Sequence, residues 1–581
     1  MHTSDRATLP HPRPLSRRER GVETLFPWGT LATFLILQTV GLAAPPDVKH
    51  LFPSGGAAGQ TVDVAVGGSA GAVPVQVWSS RDDVKGEVSE AGKLKITIAE
   101  KAAPGTAWLR LHNAEGASSI RPFVIGSLPE TNEAEPNAEL KTATAVPAVP
   151  AVVNGVLEKN GDVDLFSVPL KAGQTLVADV EANRRFGSPI DAVLQLLSPT
   201  GRVLVQNNDD QGLDPRVIFT APADGTYFVR VFGFAFVPNS SIVFAGDAAA
   251  VYRLTLATGP FVDHSYPLVV TRGTSGKVNG IGWNLSPSDT QRALTPSPSP
   301  GGRGEFVELP FDASSNAKSL TLQLPGMNNL ATVGVVPHAT SVEAEPNDRE
   351  HANEVVFPVT VSGHIDAPRD VDVFRLRASK GQRLRVSVDA RSLDSPLDPV
   401  LRITDAAGKV LQEQDDEARR VYDCELTFTA PADGEFFFAV TDRFEHGSFR
   451  HFYLLTIEPL RPDFAVTPAE RSFVLTVGKP LEISVTIDRE QGFAGEIELS
   501  VEGLPEGVTA MPAKSEAKGE SAKKVKLTLS GMEAKPSSGP IRITGRSTGE
   551  PSLTRIATVP LTDIPTRLEY LWLTVVAPPA K

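Results

Sequence analysis

TAPADGTYFVRV (Thr220–Val231) returns as TAPADGEFFFAV (Thr429–Val440), an offset of 209 (429 − 220). Each copy reads as a turn running into a strand. The Pro is pre-set for a turn, and the Gly accepts the left-handed geometry that follows. On the N-terminal side, EAEPN (Glu133–Asn137) recurs as EAEPN (Glu343–Asn347), and DVDLF (Asp162–Phe166) as DVDVF (Asp370–Phe374). Their offsets, 210 and 208, hold the same spacing across the whole stretch. Spacing kept over roughly a hundred residues means a duplicated domain, with a period too long for a solenoid unit. The expectation is a string of separate beads.

The rest of the chain reads as strands too. AWLRLH (Ala107–His112), LRVSVDA (Leu384–Ala390), LEISVTI (Leu481–Ile487) and KVKLTLS (Lys524–Ser530) alternate apolar and polar residues, as half-buried strands do. Ala-Asp-Gly, Pro-Thr-Gly and Ala-Ala-Gly turns fall between such runs, and no long amphipathic helix is evident. The fold class is therefore all-β, a tandem array of β-sandwiches. Composition places domains at 45–128, 129–259, 260–340, 341–459 and 460–581, with a Ser/Pro-rich insertion at 291–305. The first and third share an aromatic-Pro start and a Gly followed by a strand, in LFPSGGAAGQTVDVAVGG (Leu51–Gly68) and YPLVVTRGTSGKVNGIGW (Tyr266–Trp283). If related, they make the duplicated unit a domain pair, with the last domain capping the array.

A chain of 581 residues is too long for one core. Its net charge of −13 argues against nucleic acid, which needs a basic face, and suits divalent cations. The single cysteine, Cys424, excludes an intrachain disulfide. Leu31–Leu42 is an apolar run too short to span a bilayer, which takes ~20 residues. With Arg17, Arg18 and Arg20 ahead of it and Gly41 and Ala43 fitting a signal-peptidase site, residues 1–43 read as an extension and export signal. A buried core segment or a retained anchor is the alternative. No later run spans a membrane, so the mature protein is expected to be secreted, periplasmic or at the cell surface.

The two copies resemble the bacterial pre-peptidase C-terminal domain. The shared features are E-x-E-P-N, G-x-x-x-x-x-x-D-x-D-x-F (Gly155–Phe166 and Gly363–Phe374), A-G-Q-T-L (Ala172–Leu176) or K-G-Q-R-L (Lys380–Leu384), and A-P-A-D-G. The family implies a jelly-roll-like sandwich without catalysis of its own, found beside secreted proteases. The terminal domain looks immunoglobulin-like, most clearly in GFAGEIELSVEGLPEGV (Gly492–Val508).

In an extended segment, residues i, i+2 and i+4 face one side. Glu133, Glu135 and Asn137 would then present three oxygen ligands, with Asp162 and Asp164 on a second strand. The second copy offers Glu343, Glu345, Asn347, Asp348, Asp370 and Asp372. Calcium takes six to eight such oxygens. The resemblance agrees, since related domains of bacterial collagenases bind calcium with a similar set. Ala138 stands where the second copy has Asp348, so the first site is expected to lack one ligand. The competing reading is a surface turn at E-P-N-D and a bend capped by Asp.

GTS at Gly273–Ser275 lacks the rest of a subtilase serine motif, and neither G-x-S-x-G nor H-E-x-x-H occurs. The first copy carries eight extra residues in a loop with Phe232, Phe234, Phe236 and Phe244, either a binding loop or packing against a neighbouring domain. The expected function is non-catalytic binding or scaffolding of an extracellular protein or polysaccharide, calcium-stabilised. The alternative is an accessory chain of a secreted peptidase, or a divergent subtilase-type peptidase.

Overall fold

LRVSVDA folds as it reads: in the strand Arg383–Asp389 the side chains of Leu384, Val386 and Val388 are buried on one face. The computed structural model describes residues 44–71, 73–90, 92–237, 243–285, 305–416, 422–550 and 552–578. The export signal and nearly all of the Ser/Pro-rich insertion lie outside them. Among the described residues the elements are strands, save one four-residue helix (Asn183–Phe186) and two short 3-10 turns. No helix there is long and apolar enough to cross a membrane.

Residues 130–257 form two packed five-stranded sheets. One runs Glu130–Asn132, Ala151–Val156, Val251–Ala257, Thr175–Glu181, Arg216–Thr220. The other runs Thr144–Ala145, Asp164–Leu170, Gly225–Ala235, Ile190–Leu197, Val203–Asn207. Residues 339–459 repeat this order strand for strand, from Ala339–Val342 to Phe452–Pro459. In both, the first strand of each sheet pairs parallel and the others antiparallel. The repeated motifs meet in one corner. Asp224 of the A-P-A-D-G turn accepts the Ala172 N–H, and Asp433 accepts that of Lys380. The turn thus caps the A-G-Q or K-G-Q loop facing it.

Residues 47–126 and 261–336 are smaller sandwiches with matching features. The strands Asp47–Phe52 and Phe261–Tyr266 each break register against their partner, between Val48 and His50 and between Val262 and His264. A short parallel strand follows in each, Gly55–Ala57 and Val269–Thr271. Residues 463–576 form the last sandwich, where the telling Gly492–Val508 stretch supplies the strand Ile497–Glu502.

The domains are not separate beads. Ala43–Lys581 is one compact unit. Leu268 and Val269 of the third domain pack on Phe452 and Leu454 of the fourth, and Ile120 of the first packs on Leu561 and Ile564 of the last. Burying each such side chain contributes roughly 1.5–3 kcal/mol, enough for a few contacts to hold two domains together. A buried ion network joins three domains. Arg216 bonds Asp179 at 2.8 Å and Asp263 at 2.6 Å, while Arg450 grips Asp210 with both terminal nitrogens, at 2.6 and 2.9 Å.

Candidate metal centre

Glu133 follows the strand Glu130–Asn132, and its N–H bonds the Asn154 carbonyl at 3.0 Å. The chain does not stay extended. It turns at Glu135-Pro136-Asn137, and the Asn137 carbonyl accepts the Leu165 N–H at 3.2 Å. The turn is tied from within: Asn137 N–H donates to Glu135 Oε2 (3.1 Å), and Asn137 Nδ2 donates to Glu133 Oε2 (3.3 Å). Glu133 Oε1 accepts the Val156 N–H at 2.6 Å. Asp164, at the head of its strand, accepts the Tyr252 hydroxyl at 2.6 Å.

Carboxylate oxygens of Glu133, Glu135 and Asp164 thereby lie within 4.8 Å of one another. Asn137 Oδ1 and Asp164 Oδ1 are buried there without a hydrogen-bond partner. The second copy repeats this atom for atom. Glu343, Glu345 and Asp372 converge within 4.8 Å, and Asn347 Oδ1 and Asp372 Oδ1 are orphaned. Glu343 Oε1 accepts the His364 N–H (2.6 Å), and Tyr453 donates to Asp372 Oδ2 (2.5 Å). Burial, then repulsion from the neighbouring carboxylates, pushes the pKa of Glu133, Asp164, Glu343 and Asp372 well above the usual carboxylate range. Native structures seldom leave buried acceptors unpaired. Three carboxylates and one amide oxygen, two of their oxygens orphaned, make a donor set for a hard cation.

Residues 162–233 match the family model described as the bacterial pre-peptidase C-terminal domain. The first ten-stranded sandwich is a pre-peptidase C-terminal domain. Over 76 residues the chain is 42% identical to a probable subtilase-type serine protease of Deinococcus radiodurans, a match covering 13% of this chain. It spans only 10% of that relative's length. Among solved structures, the pre-peptidase C-terminal domain of a collagenase from Bacillus anthracis aligns over its full length and 20% of this chain, at 14% identity and a TM-score of 0.16. Domains 1–6 of a surface layer protein align over 93% of this chain and 55% of theirs, at 10% identity and a TM-score of 0.14.

Three expected ligands stand outside the clusters. In the pre-peptidase C-terminal domain, Asp162 accepts the N–H groups of Glu158 (2.6 Å) and Val163 (3.2 Å), clamping its own loop. Asp370 does the same for Asp366 and Val371. Asp348 is exposed and caps a turn through the Glu350 and His351 N–H groups. Ala138 therefore removes no member of the first cluster. The expected three-ligand face of an extended strand is a knotted turn instead, because Asn137 must return to pair with Leu165.

Two contributors escaped the sequence reading. Tyr252 and Tyr453 orient Asp164 and Asp372, and a Cβ on Gly155 or Gly363 would collide with those rings. The signal was present in the first glycine of G-x-x-x-x-x-x-D-x-D-x-F. Of the loop aromatics, Phe232 is buried while Phe234 (41%), Phe236 (46%) and Phe244 (36%) are partly exposed. Phe232 and Phe244 lie 4.5 Å apart and Phe234 and Phe244 5.7 Å, so these rings pack on one another. Residues 238–242 of this loop fall outside the described residues.

Proposed function

We propose that this chain is an exported, non-catalytic binding or scaffolding protein of the cell surface or extracellular polymer, with one calcium ion in each acidic cluster. The observation that carries the calcium reading is the pair of buried, unpartnered oxygens in each cluster, Asn137 Oδ1 with Asp164 Oδ1 and Asn347 Oδ1 with Asp372 Oδ1. Glu133, Glu135, Asn137 and Asp164 would hold one ion, and Glu343, Glu345, Asn347 and Asp372 the other. Water would complete a shell of six to eight oxygens. The ion's role is structural, since each cluster ties the connection between the first strands of the two sheets to the strand that carries Asp164 or Asp372. We take the second ten-stranded sandwich as a second pre-peptidase C-terminal domain on the identity of strand order. Calorimetric titration of the mature chain should give two calcium sites, with Glu135→Gln and Glu345→Gln each removing one. A melting transition unmoved by EDTA would sink this.

The exposed Phe234, Phe236 and Phe244 rings supply a contact surface for an extracellular partner. A Phe234→Ala/Phe236→Ala protein should keep its melting temperature and lose binding to cell-wall material. Unchanged binding would remove the loop from the account. A second reading, an accessory component of a secreted peptidase, is favoured by the likeness over 76 residues to the probable subtilase-type serine protease of Deinococcus radiodurans. Casein digestion with active-site titration separates the two.

A further inference from the structure

The two sandwich pairs differ in what packs beside the acidic clusters. In the second pair the chain sets its own hydroxyl there. Tyr266 Oη lies 3.5 Å from Glu343 Oε1 and donates to the Ser362 carbonyl at 3.0 Å, and the Tyr266 and His364 rings are 4.2 Å apart. The register breaks at Val48/His50 and Val262/His264 align the two strands, so Phe52 stands where Tyr266 does. Val156, next after Gly155, stands where His364 does. Neither replacement has a polar side-chain atom.

At this place in the first pair an open pocket of about 510 Å3 lies between the first domain and the pre-peptidase C-terminal domain. His50, Phe52, Glu133, Glu135, Val156 and Glu158 are among its walls. Two members of the acidic cluster thus face it, and Asn137, wholly buried, has its unpartnered Oδ1 in the same cluster. His50 Nδ1 is also buried without a partner. Burial holds the imidazole pKa below its usual value, so the ring is neutral and can accept or donate one hydrogen bond.

Charge decides the ligand class. Glu133, Glu135 and Asp164 bring three negative charges to one divalent ion, leaving −1, and Glu158 on the pocket wall makes −2. A carboxylate or phosphate would enter against that field. A neutral hydroxyl would not: its oxygen can bind the cation while its hydrogen goes to a carboxylate. Two adjacent hydroxyls on a ring do this twice, and the Phe52 ring offers an apolar wall for the ring's carbon face.

We propose that this pocket takes a vicinal diol of a neutral saccharide, whose two hydroxyl oxygens complete the coordination of the ion held by Glu133, Glu135, Asn137 and Asp164. The proposal rests on the calcium reading above. It adds ligand binding to the structural role of the first cluster, while the second, with Tyr266 in place, is structural only.

The test is affinity chromatography of the mature chain on resins bearing mannose, galactose and glucose, with calcium titrated in parallel. Retention on at least one resin is expected in calcium, with release by EDTA and by the matching free sugar. Phe52→Tyr and Val156→His each install half of the second pair's filling. Each should weaken retention by about tenfold or more while both calcium ions still bind. Binding of both ions with no sugar retained overturns the proposal and leaves the calcium reading standing, as does retention unchanged in either folded variant. Absence of calcium at the first cluster overturns both.

Discussion

With its side chain fully buried, Asn137 donates from Nδ2 to Glu133 but receives nothing at its side-chain amide oxygen, Oδ1. The same holds for Asn347. Such a residue costs about 1–3 kcal/mol unless something fills the gap, which is the physical reason for placing a cation beside it. The pH dependence of stability tests this at the level of single carboxyls. Without the ion, Glu133, Asp164, Glu343 and Asp372 have raised pKa values. The folded state therefore keeps protons that the unfolded chain releases near pH ~4. Where the folded state binds more protons, stability falls as pH rises, from the unfolded pKa up through the raised values. Calcium binds the ionised groups and reverses this loss. In EDTA the melting temperature should drop between about pH 5.5 and pH 8, and calcium should raise it more at the higher pH. Equal calcium effects at both pH values would count against the site. The Glu-x-Glu-x-Asn set was legible because its residues are close in sequence. Asp162, Asp370 and Asp348 looked equivalent to it, yet each is used up by N–H groups of its own loop. Which carboxylate a local N–H claims depends on the path of the chain, which residue spacing does not give. Tyr252 acts on Asp164 across 88 residues and left no local trace.

At the scale of elements, alternation and turn chemistry were enough to read an all-β chain, since strands such as Leu481–Glu490 and Lys524–Ser530 bury one face by a period of two. They could not say which strands face a cluster. The glycine of the strand Ala151–Val156 shows what was hidden: Gly155 pairs with Tyr252 and leaves no room for a Cβ against the phenol ring. Its role is close approach, because its φ is unremarkable. Gly155→Ala must push the ring off Asp164, and overpacking of this kind costs about 1–3 kcal/mol. The variant should melt lower and bind one calcium more weakly, with the second cluster unaffected; Gly363→Ala should do the reverse. A Gly155→Ala chain with unchanged calcium titration would separate the tyrosine from the site.

The whole molecule departs furthest from the sequence reading. Asp210 is gripped by Arg450, 240 residues away, while Arg450 also lies 3.3 Å from Asp263. No periodicity encodes a contact between domains, so a string of beads was the natural expectation and a bonded assembly is the finding. The Arg216 and Arg450 guanidinium groups both lie over the Trp283 ring, at 5.8 and 5.7 Å, which shields the network from water. Asp263, beside both arginines, keeps its pKa below the usual range despite burial. Its contribution is therefore present above the unfolded carboxyl pKa and lost as pH falls, opposite in sign to the cation-free acidic clusters. Removing one partner from such a network leaves buried charges uncompensated, at about 3–5 kcal/mol. Arg450 belongs to the fourth domain, Asp210 to the second and Asp263 to the third, so this cost falls on the junction and not on any one core. Arg450→Ala should open the junction: limited proteolysis near residues 259–262 should speed up and the radius of gyration should grow, while each sandwich keeps its strand signal in circular dichroism. A variant as compact and protease-resistant as the parent would mean that the apolar contacts of Leu268, Val269, Phe452 and Leu454 hold these domains without the ion network.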